Sequence, residues 1–365
     1  MAHLHFDKQP HSICILRLSA IGDVTHVLPV IATLREYWPR TRITWIIGAI
    51  EYELVKSLSD IEFIVFNKKN GWREFLALRR KLAGRRFDVL LMMQVALRAN
   101  LISLLIRARH RIGYDRDRSR DFHGLFCNHR IEGPARVHVL DTFFQFLEKM
   151  GLRQRRMDWL LQPGTDDNEY ASKLIGGKPS IIINPCSSAR RNNWRNWPVE
   201  RYSQLIDRIV ERYALQVILT GGPSAEEKAY SKAISAQCIS KPINKVGATT
   251  LGQLLALMQR ALLVIAPDTG PAHMATVAGT PVVGLYASSN PRRTGPYLSQ
   301  AHVVDRYREA LEQYSSKRLD EARWGERVRN PKVMNLISVE DVESAISRLV
   351  SGPLANKQSQ ISPKQ

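Results

Sequence analysis

Leu262-Leu-Val-Ile-Ala-Pro-Asp-Thr-Gly-Pro-Ala-His-Met-Ala-Thr-Val-Ala-Gly-Thr-Pro-Val-Val-Gly-Leu-Tyr286 is the stretch from which the fold can be read. Residues 262–266 are a short apolar run, as expected of a strand buried on both faces of a parallel sheet. Pro267-Asp-Thr-Gly270 breaks the run. Thr269 or Gly270 can cap a helix, and Pro271 suits its first position, where no amide hydrogen is needed. Residues 272–278 then read as a short helix of mostly small residues, ended by Gly279 and Pro281, and residues 282–286 as the next strand. A helix N-terminus directs amide hydrogens and partial positive charge outward, and small side chains let an anion approach the backbone. Asp268 and His273 stand beside that position. A carboxylate there suits sugar hydroxyls, which donate hydrogen bonds, better than phosphate itself. An Asp-Thr-Gly turn in an ordinary α/β domain is the alternative.

The same alternation runs along the whole chain. Strands are expected at residues 13–18, 42–47, 62–66 and 88–93, with helices at residues 24–38, 51–58 and 72–82. Pro29 either opens or kinks the first helix. Ser19-Ala-Ile-Gly-Asp23 is read as the exit loop of the first strand. Residues 97–106 look helical and are crowded by Arg98, Arg107, Arg109, Arg111, Arg116, Arg118 and Arg120. These arginines form either a solvated basic face or a dock for phosphates and carboxylates, for which the planar guanidinium fork is suited. Leu101, Leu104, Leu105 and Ile106 among them also fit attachment to an acidic bilayer surface. A helix over residues 137–150 and a polar run over residues 162–168 precede a second set of strands at residues 180–184 and 215–219. Ser224 with Glu227, and Thr250 with Gln253, have capping-box spacing. Residues 290–335 read as basic and irregular, with a last helix at residues 338–349.

At 365 residues the chain has room for two domains, each with its own core. They are expected at residues 1–165 and 175–337, followed by a helix at 338–350 and a disordered tail at 351–365. Lys and Arg number 53 against 34 Asp and Glu, a formal net charge of +19, which calls for a polyanionic partner. No zinc-finger spacing, basic-region heptad or aromatic-glycine RNA signature is present, so nucleic acid is not expected. No apolar run reaches membrane-spanning length, and residues 1–11 lack the apolar core of a signal peptide. A cytoplasmic monomer follows, with Cys14, Cys127, Cys186 and Cys238 as reduced thiols. The first strand leads into a loop with one glycine where a dinucleotide fingerprint needs three, and no phosphate-binding loop ends in Lys-Ser or Lys-Thr. NAD and ATP chemistry are therefore disfavoured. Asp115-Arg-Asp117, flanked by arginines, reads as a salt-bridged surface loop, and no metal or cofactor is expected.

Three segments resemble glycosyltransferase family 9, the ADP-heptose:lipopolysaccharide heptosyltransferases. Leu18-Ser-Ala-Ile-Gly-Asp-Val24 with Leu28-Pro29 looks like the family's N-terminal signature. Asp88-Val-Leu-Leu through Gln94 is similar to a second motif, and Asp268-Thr-Gly-Pro-Ala-His273 with residues 279–286 to the donor-site signature. The resemblance implies an α/β fold of GT-B architecture, two doubly wound Rossmann-like domains facing a central cleft. It further implies an inverting, metal-independent transfer from a nucleotide sugar, ADP-heptose, to an anionic lipid A/Kdo-type acceptor at the inner face of the cytoplasmic membrane. Asp23 matches the catalytic base. Asp268, Thr269, Gly270 and His273 match the donor pocket. Ser187, Ser188, Arg195 and Thr220-Gly221-Gly222 are expected near the diphosphate and nucleotide. In Trp194-Arg-Asn-Trp-Pro198, Arg195 takes the place of the family's usual lysine and Asn196 that of a histidine. The acceptor is expected on the N-terminal half, at Gln94, Arg98, Arg107, Arg109 and Arg111. The competing readings are a GT-B transferase or epimerase-like enzyme for another nucleotide sugar, and a non-catalytic binder of acidic lipid or nucleic acid.

Overall fold

The computed structural model describes residues 4, 6, 8–187 and 193–351. Ser188 and most of the expected tail lie outside the described residues. The chain divides into two compact units, Met1–Leu161 and Gln162–Gln365.

The first unit runs β1 (Ser12–Leu16), α1 (Ile21–Tyr37), β2 (Arg42–Gly48), α2 (Ala49–Val55), β3 (Glu62–Phe66), α3 (Trp72–Leu82), β4 (Phe87–Leu91), α4 (Leu97–Ser103), β5 (Ala108–Gly113), β6 (His129–Arg130) and α5 (Val139–Lys149). All strand pairs are parallel, in the order β3-β2-β1-β4-β5-β6. Ile13, Cys14, Ile15 and Leu16 are wholly buried, as a central parallel strand requires. Two expectations are corrected at this end. The helix after β1 starts at Ile21, so Pro29 lies well inside it and Asp23 sits in its first turn rather than in a loop. The helix expected over residues 97–106 stops at Ser103, and the arginine-rich segment behind it is a strand, β5.

The second unit runs α6 (Thr165–Ile175), β7 (Ser180–Ile183), α7 (Val199–Tyr213), β8 (Gln216–Leu219), α8 (Ala225–Gln237), β9 (Ile243–Asn244), α9 (Leu251–Arg260), β10 (Leu263–Pro267), α10 (Gly270–Val277), β11 (Val282–Tyr286), α11 (Pro291–Thr294), β12 (Val304–Asp305), α12 (Tyr307–Ser315) and α13 (Val339–Val350). Its sheet is again parallel, in the order β12-β11-β10-β7-β8-β9. The polar run at 162–168 opens α6, and the stretch 290–335 contains α12, whose Tyr307, Ala310 and Leu311 are buried. α7 buries Tyr202, Leu205, Ile206 and Ile209, a helical stripe against the sheet. Thr250 and Gln253 form a full capping box on α9. At α8 the box is only half made. Ser224 accepts from the Glu227 N–H, but the Glu227 carboxylate accepts from the Gly222 N–H at 2.6 Å.

Counted from their first strands, both sheets have the order 3-2-1-4-5-6, in which the chain reverses direction across the sheet at one point. That point lies between β1 and β4 in the first unit and between β7 and β10 in the second. Loops leaving adjacent strands diverge there and leave a crevice at the carboxyl ends. On the other side of β1, at the carboxyl end of β2, the Gly48 N–H donates to the Leu18 carbonyl at 3.0 Å, and a Cβ at Gly48 would run into that oxygen and the Glu51 carboxylate. Gly48→Ala should therefore lower stability by about 1–3 kcal/mol through overpacking. Urea denaturation should show this as a lower midpoint with an unchanged slope.

Candidate active site

Asp23 stands at the switch point of the first unit. Its Oδ2 pairs with the Arg17 guanidinium and accepts from the Ala20 N–H at 3.3 Å, the reach-back contact that a first-turn carboxylate makes with its own helix. Among the described residues, no hydrogen bond reaches Asp23 Oδ1. Arg17 is held in turn. Its Nη1 donates to the Met93 carbonyl at 2.5 Å, and its guanidinium lies over the Phe143 ring of α5 at 5.4 Å. Gln94, three residues beyond β4, accepts from the Leu18 N–H at 2.7 Å, and its amide lies 3.4 Å from Ser19 Oγ. Gln94 therefore fastens the short segment, Leu18 and Ser19, that leads into the helix turn carrying Asp23. Glu51, buried on α2, adds a second carboxylate near this end of the sheet. Burial pushes it above the ordinary glutamate value, with Lys68 and Arg17 pulling the other way.

In the second unit the switch point gathers the loops after β7 and β10. β10 ends in Pro267, and Thr269 caps α10 with no side-chain capping bond. Pro271 carries no N–H and the Ala272 N–H donates to the Thr269 carbonyl at 3.2 Å, which leaves the Gly270 N–H as the outward donor of this turn among the described residues. Asp268, Thr269 and His273 are buried at this helix mouth. Arg195 Nη1 donates to the Asp268 carbonyl at 2.7 Å and lies 3.4 Å from Asp268 Oδ2. Asn196 Oδ1 accepts from the Ser187 N–H at 3.0 Å and from Asn193 Nδ2 at 3.2 Å, while Ser187 Oγ donates to Asn193 Oδ1 at 2.7 Å. One strand over, Asn184 Nδ2 donates to the Thr220 carbonyl at 3.0 Å, and Gly221 and Gly222 lie against the Glu227 carboxylate. The expected donor residues within the described part of the chain thus fall at neighbouring strand ends.

A model of glycosyltransferase family 9 (heptosyltransferase) matches residues 75–322. The lipopolysaccharide core heptosyltransferase OpsX of Haemophilus influenzae is 39% identical over 345 residues, 94% of this chain and 98% of that protein. The chain belongs to glycosyltransferase family 9. It is a glycosyltransferase of the GT-B type. The family 9 glycosyltransferase of Veillonella parvula shares its fold with a TM-score of 0.77 at 23% identity, over 93% of this chain and 97% of that one. The Escherichia coli heptosyltransferase WaaC, solved with ADP, does so with a TM-score of 0.69 at 16% identity, over 93% and 99%.

For a family 9 enzyme, the basic segment needs reassignment. Arg107 precedes β5 and Arg109 lies near its start, level with Asp88 of β4. Gln94 is six residues further along, roughly 20 Å at strand rise. Both arginines therefore occupy the amino end of the sheet, away from Asp23. Asp88 marks that end by accepting from the Ser12 N–H at 3.0 Å. Arg111 is committed internally. Its guanidinium donates to the carbonyls of Phe126, Ile106 and Ser103 at 2.7, 2.7 and 2.9 Å, and burial lowers its pKa. Arg118 is likewise bound to Asp115 at 2.8 Å and to Gln145 at 2.5 Å, which makes the Asp115 loop a salt-bridged structural element. Arg98, at the start of α4, and Arg116 and Arg120, in the loop after β5, are exposed at the carboxyl side. Among the described residues, no group of three His, Cys, Asp or Glu side chains stands where it could hold a metal ion. All four cysteines are free, and burial pushes the Cys186 thiol beside the second crevice up to about 12.

Sequence reasoning passed over Arg17 and Glu51, which carry no motif of their own, and took Glu227 only as a cap. Arg111→Ala leaves three backbone carbonyls without their charged donor and should destabilise the protein by about 2–3 kcal/mol. Arg109→Ala, at an exposed position, should stay within about 0.5 kcal/mol. Paired thermal and urea melts of the two variants check this.

Proposed function

We propose that this enzyme transfers heptose from ADP-heptose to the inner core of lipopolysaccharide, with inversion and without a metal. The full-length similarity to OpsX, a lipopolysaccharide core heptosyltransferase, supports the sugar and the acceptor. The observation that carries the donor half is Arg195 reaching Asp268 across the side-chain-uncapped start of α10. In this reading the Gly270 N–H, the dipole of α10 and Arg195 take the diphosphate, and Asp268 accepts hydrogen bonds from sugar hydroxyls. The acceptor hydroxyl attacks the anomeric carbon on the face opposite the diphosphate. The bond from that carbon to the phosphate oxygen breaks, ADP leaves with the electron pair, and Asp23 Oδ1 takes the hydroxyl proton. Arg17 keeps the carboxylate aimed while its other oxygen does the chemistry.

Asp23→Asn should keep the fold and ADP affinity, because asparagine matches the carboxylate's shape and its oxygen can still accept from Ala20. Turnover at saturating donor and acceptor should fall by about 10²- to 10⁴-fold. Turnover close to that of the parent would remove Asp23 from the chemistry.

We further propose that a lipid-anchored acceptor is met at the membrane surface. α4 exposes Leu97 and Leu101, its C-cap residue Leu104 extends that stripe, and the adjoining loop exposes Phe122 and Leu125. That loop is tied to α4 by Asn100 Nδ2 donating to the Asp121 carbonyl at 2.8 Å and by His123 meeting Asn100 Oδ1 at 2.8 Å. Arg98, Arg116 and Arg120 supply cations around it, whereas Ile106, read from the sequence as part of the apolar face, belongs to the core. Among the described residues, no helix is long and apolar enough to cross a membrane. Vesicles containing anionic lipid should bind the parent, and Leu104→Asp with Leu125→Asp should weaken that binding about tenfold or more, at an apolar transfer of about 1.5–3 kcal/mol per side chain. Undiminished co-sedimentation of the double variant would reject this face.

A further inference from the structure

A third segment reaches Asp268. Arg327 Nη2 lies 3.6 Å from Asp268 Oδ2, on the carboxylate that Arg195 also contacts. The backbone carrying Arg327 is fastened on both sides. The Val328 N–H donates to the Ser288 carbonyl at 2.9 Å, Ser288 Oγ returns a bond to the Val328 carbonyl at 2.9 Å, and Ser289 bridges to Arg327 in antiparallel fashion. On the other side, Tyr307 OH donates to the Glu326 carbonyl at 2.9 Å, and the Glu326 carboxylate pairs with Lys317 at 2.7 Å. The Arg327 side chain itself is 43% exposed, against 8% for that of Asp268. It is thus a fixed, accessible cation at the α10 mouth.

Charge decides what such a cation can do. Arg195 and Asp268 alone form a neutral pair, and a diphosphate entering beside them would meet a carboxylate with no excess positive charge. With Arg327 the three side chains carry a net +1. When an anion arrives, one guanidinium can turn to it while the other stays on Asp268, so the carboxylate is never left unpaired. We propose that Arg327 is a second binding cation for the donor's diphosphate, exchanging Asp268 for phosphate oxygens as the nucleotide enters. The inference rests on the nucleotide-sugar reading and adds a residue to it.

Calorimetric titration of the full chain with ADP and with AMP tests it, using Arg327→Gln, Arg327→Lys, Gly270→Val and Arg212→Gln. Arg212→Gln removes an equal charge from an exposed residue on α7 that pairs with Glu343. Arg327→Gln should weaken ADP about 10- to 100-fold and AMP much less, and should flatten the salt dependence of ADP binding. Arg327→Lys should recover most of the affinity, and Arg212→Gln should leave it unchanged. Parental ADP affinity in Arg327→Gln, with Gly270→Val defective, overturns the role of Arg327 and leaves the donor site standing. Equal losses of ADP and AMP with a lowered melting temperature also overturn it, because Arg327 would then only clamp Asp268. If Arg327→Gln does not fold, Arg327→Ala decides in its place: ADP affinity below about a tenth of the parent's, with melting unchanged, supports the proposal, and any smaller loss overturns it. Parental affinity in Gly270→Val, or no ADP binding by the parent, overturns the donor reading itself and the inference with it.

Discussion

A carboxylate buried at the end of a central strand has to be compensated, and Asp268 is compensated by two guanidiniums, from Arg195 at 3.4 Å and Arg327 at 3.6 Å. An ionised group held away from water costs several kcal/mol unless it is paired. Three segments far apart in sequence converge to pair this one. The packing around them serves that convergence. Trp197, two residues after Arg195, is wholly buried and donates to the Ile337 carbonyl at 2.9 Å, anchoring the loop from below. The bonds between Ser288 and Val328 anchor the other arm.

The first unit solves a similar problem with nearer parts. Arg17, one residue beyond β1, pairs with Asp23 in the following helix turn, and Gln94 and the Met93 carbonyl, from the segment leaving the adjacent strand β4, hold the two in place. In both units the carboxylate lies where the strand order reverses, the position at which a doubly wound sheet leaves room for a ligand. The difference lies in exposure. The Asp23 side chain is 32% exposed, with one oxygen unengaged by described residues, which suits proton transfer; the Asp268 side chain is 8% exposed and held from two sides, which suits orientation.

Most strands were legible because central parallel strands must be apolar on both faces, and Leu263–Pro267 and Val282–Tyr286 announce themselves in that way. Ala108–Gly113 did not, because its arginines and histidine mimic a solvated surface. Arg111 is partly buried there only because folding brings three carbonyls to it, and composition carries no trace of that. Tyr307–Ser315 was missed for a different reason. Its buried Tyr307, Ala310 and Leu311 have helical spacing, but the charge of the surrounding stretch outweighed three residues. The donor motif was readable because its residues are contiguous. Arg327 was not, since a contact set by strand pairing between remote segments has no local signature.

The departure from the family's usual Lys-His pair becomes intelligible at the same place. A lysine presents one compact charge, whereas Arg195 reaches the Asp268 carbonyl and stands beside its carboxylate at once. Asn196, in place of a histidine, turns its oxygen to the Ser187 N–H and to Asn193, whose own oxygen accepts from the Arg195 N–H at 3.2 Å. The two substitutions therefore belong together. The asparagine amides shape the loop so that the arginine projects across to α10, and a lysine restored there would keep the charge but lose the contact that fixes where Asp268 points. In this enzyme the geometry of the donor mouth depends on the loop after β7 and the turn before α10 being cross-braced by the Arg195 guanidinium, and a charge-conserving change at Arg195 is the kind that would uncouple them.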